Sequence, residues 1–199
     1  MSPEAAARTA GFVRIAGVDE AGRGPWAGPV VAAAVVLTQP RLRVRIDDSK
    51  RLTPRARARA FDVILDHAEV GVGMVCAQEI DRRNILRATF LAMQEAVAEL
   101  PTSPDLILVD GAIAPAFPCS CWPIPHGDQR CYAISCASIV AKVVRDGLMA
   151  YYHELYPEYG FDRHKGYGTS FHLEQLRRCG PSALHRFSFR PVAQLIPSA

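Results

Sequence analysis

The sequence predicts an α/β fold with a mixed five-stranded central sheet flanked by helices, plus a helical C-terminal part. β-Prone runs alternate along the chain with segments whose apolar residues recur at helical spacing. Residues 29–37 form the most apolar run, which suits a buried strand and is too short to cross a membrane. With 199 residues, 49% of them hydrophobic, the chain can build one domain with a proper core.

Five strands are expected. Four follow from short β-branched or apolar runs, and a fifth, short strand is expected within the proline-rich loop at 112–125. A turn-rich segment that contains glycine and proline separates the first two strands. The four runs are residues 13–18, 30–37, 69–77 and 106–109.

Helices are predicted from capping residues and apolar periodicity. Thr53 as N-cap and Pro54 at the first helical position open a helix that runs to about His67. Residues 79–100 carry apolar residues at helical spacing and are predicted as one helix. A long helix at 134–152 and a shorter one at 170–178 follow.

The ends of the chain lack such patterns. We expect a flexible lead at residues 1–12, one domain at 13–199, and no regular pattern after residue 181. No basic and apolar leader opens the sequence, so we expect a cytoplasmic protein. Its six cysteines are then expected as free thiols, and a zinc clip at Cys119 and Cys121 is disfavoured because no second Cys/His pair has the required spacing.

Lysine is rare in this sequence. The net charge is only +3, and of 23 basic residues only Lys50, Lys142 and Lys165 are lysines. Positions that keep lysine in so arginine-rich a chain could require a compact ammonium group. Three positions are few, and chance is the alternative.

Four acidic residues stand at the edges of apolar elements. Asp19 and Glu20 follow the first predicted strand, Asp110 follows the fourth, and Asp128 precedes the long helix. Carboxylates that converge at strand ends repel one another unless a cation lies between them. Oxygen ligands alone favour Mg²⁺ or Mn²⁺, and two such ions suit phosphoryl transfer. A single aspartate at such a position could instead be a turn or a helix cap, and both members of the pair can reach one site only if the strand ends or bulges there.

The glycine-rich segment Gly22-Arg23-Gly24 is not a nucleotide-binding loop. No Gly-Lys-Ser/Thr follows it, and the chain continues into prolines and a β-branched run rather than a helix. Glycines allow the close approach of another backbone, and Arg23 could hold a phosphate. A plain tight turn is the alternative.

Ordered motifs from residue 13 to residue 191 resemble the bacterial ribonuclease HII family. The opening motif GVDEAGRGPWAGPVVAAAV spans residues 17–35. It is followed by DSK at 48–50, EIDRRNI at 79–85, VDG at 109–111, GD at 127–128, ASIVAK at 137–142 and HKGYGT at 164–169, and then by Gly180-Pro-Ser182 and His185-Arg186.

This resemblance implies a ribonuclease H-like fold and makes the domain at 13–199 catalytic. It implies that Asp19, Glu20, Asp110 and Asp128 bind Mg²⁺ or Mn²⁺. The family hydrolyses RNA in RNA–DNA hybrids and incises 5′ of single ribonucleotides in duplex DNA, which leaves 3′-hydroxyl and 5′-phosphate ends. By the same resemblance the substrate contacts are Gly22, Arg23, Gly24, Lys50, Lys142, Lys165 and Tyr167.

Recognition of ribose agrees with the chemistry, because only the 2′-hydroxyl distinguishes RNA from DNA locally. For Tyr167, simple packing between turns is the alternative. Departures from the family pattern are His126 in place of lysine, and Ala112-Ile113 after the third carboxylate. Asp146, deep in a predicted helix beside Arg145, is interpreted as structural.

Three other functions are less consistent with the sequence. A ribonuclease HIII has threonine where Arg23 stands and needs an extra N-terminal domain, for which residues 1–12 leave no room. A catalytically dead nucleic-acid-binding protein would not need four intact acids. A small-molecule phosphotransferase would need a nucleotide loop. We expect a monomer that acts on nucleic acid and not at a membrane.

Overall fold

The computed structural model describes residues 2–195 and has one mixed five-stranded sheet, as predicted. The strands lie in the order β3-β2-β1-β4-β5. β1 pairs antiparallel with β2, which pairs antiparallel with β3, whereas β1, β4 and β5 run parallel. The strands are β1 Ile15–Ala21, β2 Val30–Leu37, β3 Ala68–Val75, β4 Leu106–Asp110 and β5 Ser120–Ile124.

Helices cover both faces of this sheet and build the C-terminal part. They are α1 Pro3–Thr9, α2 Pro54–His67, α3 Ala77–Arg83, α4 Ile85–Ala98, α5 Gly127–Arg130, α6 Tyr132–Leu155, α7 Phe161–His164, α8 Ser170–Cys179 and α9 Arg190–Ala193, with a 3-10 turn at Pro157–Tyr159. No helix within residues 2–195 has the length and apolar character that crossing a membrane requires.

The buried strand β2 separates two hydrophobic clusters. Ala32 and Ala34 pack with α4 on one face of the sheet, and Ala33 and Val35 pack with α2 and α6 on the other. Small side chains at these positions let the helices approach the sheet closely. The apolar run that predicts a buried strand therefore marks the centre of the molecule.

The predicted flexible lead is wrong for the residues that the structure describes. Residues 3–9 form α1, with Ser2 as N-cap. Ala7 is buried in a cluster with the starts of β1 and α6, and the carboxylate of Glu4 accepts a hydrogen bond from the Ala133 N–H at 3.1 Å. These long-range contacts order the segment. Met1 and residues 196–199, the outer ends of the predicted lead and domain, lie outside the described residues.

The single helix predicted at 79–100 is also wrong. Asn84 has a left-handed φ of 72°, which ends α3, and its side chain caps α4 by accepting from the Arg87 N–H at 3.1 Å. Apolar spacing continues across the break because both helices pack on the same sheet, so periodicity alone did not reveal it.

Gly17 in β1 allows α6 to lie directly on the strand. A Cβ atom at this position would stand 2.2 Å from the carbonyl carbon of Ala133. We expect Gly17→Ala to lower the free energy of unfolding by about 3 kcal/mol, at the upper end of overpacking costs, because backbone must move. Urea unfolding followed by circular dichroism measures this change.

Gly147→Ala is the matched control, because Gly147 is exposed in α6 and a Cβ there would meet nothing within 4 Å. Replacing a helical glycine by alanine should stabilise the protein by about 1 kcal/mol. Equal effects of the two substitutions would contradict the close approach of α6 to β1.

Candidate active site

The predicted site residues gather in one cavity. It measures about 270 Å³ and lies at the carboxyl ends of β1 and β4, beside α6 and the loop before α8. Four carboxylates, the glycine-rich segment, two lysines and a tyrosine line it: Asp19, Glu20, Asp110, Asp128, Gly22, Arg23, Gly24, Lys50, Lys142 and Tyr167. Every predicted site residue except Lys165 therefore contributes to this cavity.

β1 carries its two acids without the break or bulge that we expected. Asp19 and Glu20 stay in antiparallel register with β2, opposite Ala33 and Ala32. The recorded parallel pairing with β4 extends only to Val18. From Asp19 onward the β4 side of the strand is therefore open, and both carboxylates line the cavity there although successive side chains alternate.

The other two acids are tied together by the backbone between them. Asp110 ends β4, and its Oδ1 accepts a hydrogen bond from the Gly127 N–H at 2.6 Å. Asp128 follows in the first turn of α5, where its carbonyl accepts from the Ser135 hydroxyl at 2.6 Å. His126 turns the chain into α5 with a left-handed φ of 55°. Asp128 therefore lines the cavity although His126 stands where the family pattern has lysine.

The carboxylates raise one another's proton affinity. Burial raises the pKa of Asp19 well above its usual value, and the charges of Glu20 and Asp110 raise it further. Burial also raises the pKa of Glu20, against the opposing effect of Arg23, whose guanidinium lies 3.2 Å from it. The pKa of Asp128 is raised by burial and then by Asp110. Such a group of acids is stabilised when a cation shares the cavity.

The donor set fits a hard divalent cation. All four carboxylates supply oxygen, the ligand that Mg²⁺ and Mn²⁺ prefer. Within residues 2–195, no three His, Cys, Asp or Glu side chains already stand in a metal-binding arrangement. The four acids therefore line one cavity and repel one another, but the described residues do not form a preassembled set of metal ligands.

Two serines that the sequence did not single out contact the acidic cluster. Ser138 lines the cavity with Asp19 and lowers the pKa of that carboxyl. Ser49 and Ser138 join their hydroxyls at 3.0 Å across the wall of the cavity. The sequence spacing could have identified Ser138, because it lies one helical turn before Lys142 in α6 and therefore on the same face of the helix.

The three lysines have different environments. Lys50 lines the cavity, and its backbone N–H donates to the Asp48 carboxylate at 2.9 Å. Lys142 pairs with Asp146 at 2.7 Å, consistent with a structural role for Asp146. The side chain of Lys165 does not line the cavity, and its carbonyl accepts from the Arg145 guanidinium at 3.0 Å. Whether the three contact substrate stays a prediction.

Two buried arginines, of which Arg145 also lines the cavity, were not assigned a role from the sequence. Arg145 and Arg186 are 1% and 0% exposed. Arg145 donates to the carbonyls of Pro29, Lys165 and Ala27 at 2.9, 3.0 and 3.1 Å. Arg186 donates to the carbonyls of Gly22, Arg23 and Gly28 at 2.6 to 3.0 Å.

These guanidiniums fix the loop that carries Gly22 and Gly24. Within residues 2–195 neither guanidinium forms an ion pair, and burial lowers the pKa of Arg145 to about 10 and that of Arg186 to about 9. One signal existed in the sequence. Ala141, Arg145 and Met149 follow one another at four-residue spacing on a buried face of α6.

Tyr167 stands at the mouth of the cavity beside the glycine-rich segment. Its side chain is 45% exposed, and a Cβ atom on Gly24 would lie 3.6 Å from the tyrosine ring. Such exposure does not fit a role in packing alone. The Gly24 backbone and the tyrosine ring therefore stand side by side in the lining of the cavity that the carboxylates share.

A second, larger cavity of about 670 Å³ borders this site. It lies beside α1 and shares Asp128 with the cavity of about 270 Å³ that the four carboxylates line. Its charged lining includes Arg8, Arg41 and Arg130. This larger cavity contains no other predicted site residue. The predicted site residues therefore gather in the smaller cavity, and a larger volume does not mark the candidate active site.

Sequence comparisons identify the family. The family model of ribonuclease HII matches residues 16–192. A ribonuclease HII from Chlamydia pneumoniae is 51% identical over 187 residues, which cover 92% of this chain and 86% of that relative.

Structural comparisons support the same fold. The ribonuclease H2 of Pyrococcus horikoshii matches with a TM-score of 0.78 and 26% identity over 92% of this chain and 97% of that one. Bst-RNase HIII matches with a TM-score of 0.75 at 19% identity, over 96% of this chain but only 71% of its own. The chain belongs to the ribonuclease HII family, the type 2 ribonucleases H.

Proposed function

We propose that this ribonuclease H hydrolyses the RNA strand of RNA–DNA hybrids and also incises 5′ of a single ribonucleotide embedded in duplex DNA. The products are a 3′-hydroxyl and a 5′-phosphate. The endonuclease activity follows from family membership. The action on single ribonucleotides is the new claim.

One observation carries this proposal. The four carboxylates and the segment Gly22-Arg23-Gly24 line the same small cavity, with Tyr167 at its mouth. A nucleotide whose phosphate reaches the acids would thus have its sugar beside the glycine backbone and the tyrosine ring. A 2′-hydroxyl needs a hydrogen-bonding partner at that position, and glycine lets the backbone approach closely enough to provide it.

We also propose that Asp19, Glu20, Asp110 and Asp128 hold Mg²⁺ or Mn²⁺. Their oxygen donors and the raised pKa of Asp19, Glu20 and Asp128 support this. Bst-RNase HIII, which has the same fold, was crystallised in complex with Mn²⁺. Bound in a pair, such ions activate a water molecule and stabilise the leaving oxygen of an in-line displacement.

The protein's own groups would orient this reaction. The Gly127 N–H holds Asp110 and the Glu20 N–H holds Asp19, at 2.6 and 2.7 Å, so neither carboxylate would have to be ordered during catalysis. Lys50, Lys142 and Arg23 place positive charge along the cavity wall, where a phosphodiester would pass. Lys165 would contact the substrate from outside the cavity. The monomeric state and the cytoplasmic location stay predictions.

We expect Asp110→Asn to abolish cutting while it largely spares binding. The amide keeps the shape of the carboxylate and removes its charge, so kcat on a duplex with one ribonucleotide should fall by more than about 10²-fold. Gel electrophoresis of end-labelled duplex measures cleavage, and fluorescence anisotropy measures binding.

Asp62→Asn is the matched control for this experiment, because Asp62 is exposed on α2 away from the cavity. Chelation of divalent ions should stop the wild-type enzyme, and Mn²⁺ or Mg²⁺ should restore it but not Asp110→Asn. Full activity of Asp110→Asn would remove this residue from the proposed metal site. Failure of the pure wild-type protein to cut 5′ of the ribonucleotide would overturn the proposed function.

We expect Tyr167→Ala to reduce cutting at a single ribonucleotide about tenfold more than cutting of a long hybrid. Stacking of an aromatic ring on a nucleotide contributes about 1–3 kcal/mol, and only the single-ribonucleotide substrate depends on one defined junction. The ratio of kcat/KM on the two substrates measures the effect. Tyr167→Phe keeps the ring and should keep the ratio, whereas equal losses on both substrates for Tyr167→Ala would refute the sensing role.

A further inference from the structure

Three histidines that the reaction does not use are packed behind Tyr167. His164 and His172 stack with ring centroids 4.5 Å apart, and the ring nitrogens of His172 and His185 lie 3.0 Å apart. His172 and His185 are both fully buried. Buried imidazoles that contact each other directly need a defined arrangement of protons.

The neighbours of the pair determine that arrangement. The Ser182 N–H donates to His185 Nδ1 at 2.9 Å, so this nitrogen accepts and the ring carries its proton on Nε2. His172 Nδ1 lies 2.9 Å from the carbonyl of Tyr167, which can only accept, so this nitrogen is protonated. The His172 Nε2 therefore accepts from His185. The hydrogen bonds run from Ser182 through His185 and His172 to Tyr167.

This chain of hydrogen bonds requires both rings to be neutral. A proton added to His172 would point an N–H at the N–H of His185, and a proton added to His185 would oppose the Ser182 N–H. Burial and, to a smaller extent, the charges of neighbouring histidines lower the pKa of His172 to about 4 and that of His185 to about 3.

The groups that surround the pair are aromatic or neutral. Trp26 and Phe161 pack against His172, and Tyr159 packs edge-on against His185. His164 is the titratable group that stacks on the pair, and its pKa is lowered by burial. Arg186 follows His185 directly, but its guanidinium points to the carbonyls of the glycine-rich loop.

The loop that carries Tyr167 is held by backbone hydrogen bonds and by Arg145, which donates to the carbonyl of Lys165 at 3.0 Å. Lys165 and Gly166 adopt left-handed backbone conformations, with φ of 52° and 82°. The Gly166 carbonyl accepts from the Trp26 N–H at 2.8 Å, which fixes the start of the loop. The Tyr167 N–H donates to the His164 carbonyl, and the Tyr167 carbonyl accepts from the Thr169 N–H, both at 2.9 Å. His172 adds the side-chain hydrogen bond to this carbonyl and so connects the buried histidine pair to the residue that carries the ring.

We propose that His172 and His185 are positioning residues for ribonucleotide recognition, and that their neutral hydrogen-bonded pair holds Tyr167 in place against Gly24. The inference rests on the proposed function. It concerns selectivity between substrates, because neither histidine lines the catalytic cavity. Loss of the pair should therefore affect the single-ribonucleotide substrate and leave cutting of long hybrids nearly unchanged.

The first test compares two replacements of His172. His172→Phe keeps a ring but cannot hydrogen-bond, whereas the side-chain amide of His172→Asn can still donate near the position of Nδ1. We expect His172→Phe to lower the ratio of kcat/KM for a single ribonucleotide over a long hybrid about tenfold, and His172→Asn to restore part of it. His67→Phe, at an exposed position in α2, is the control and should keep the wild-type ratio.

The second test uses the wild-type protein and does not depend on the folding of a variant. Long-range proton–nitrogen NMR should report His172 protonated on Nδ1 and His185 on Nε2, with both rings neutral at pH 6. The opposite tautomer of His172, or a charged ring at that pH, would overturn the proposal. Equal losses on both substrates in folded His172→Phe would also overturn it and leave the proposed function intact. A wild-type enzyme that cuts hybrids but not single ribonucleotides would overturn both.

Discussion

The glycine-rich side of the cavity depends on two guanidinium groups that the fold buries. Arg145 and Arg186 are charged at neutral pH, and backbone carbonyls, not carboxylates, satisfy them. Burying an ion is costly unless its hydrogen bonds are made, and the planar fork of arginine can reach several carbonyls at once. The carbonyls of Gly22 and Arg23 consequently point into the protein, where they cannot repel a phosphate. The loop is thus rigid although it is rich in glycine.

The acidic side of the cavity, formed by the four carboxylates, depends on the sheet. Parallel strands β1 and β4 deliver Asp19 and Asp110 to one edge, and the α6 N-terminus, which lies on Gly17, brings Asp128 to the same place. Asp19 and Asp110 belong to strands whose residues are buried in the core, so the burial that raises the pKa of Asp19, and the charges of Glu20 and Asp110 that raise it further, are built into the fold. The proposed divalent cation would relieve this repulsion.

Local patterns in the sequence were sufficient for the elements that local interactions define. Residues 30–37 and the helix opened by Thr53 have the predicted bounds, because an apolar run and an N-cap act within a few residues. The order of α1 depends on a contact between Glu4 and Ala133, which no local pattern encodes. The convergence of the acids could be predicted because four carboxylates stand at the edges of apolar elements, and strand ends of an α/β sheet meet at one edge. The buried arginines could not, because arginine is normally a surface residue.

The C-terminal segment supplies none of the acids, yet both recognition elements depend on it. Gly28 donates to the carbonyl of Leu184, Arg186 donates its N–H to the carbonyl of Trp26, and the Arg186 guanidinium holds Gly22. The adjacent His185 supports the Tyr167 loop through His172. One dipeptide, His185-Arg186, therefore connects the Tyr167 loop to the glycine-rich loop. Asp19 and Asp110 are anchored to the sheet, whereas these two loops are anchored to residues 182–186, so the proposed cutting and the proposed recognition of ribose would have separate structural supports.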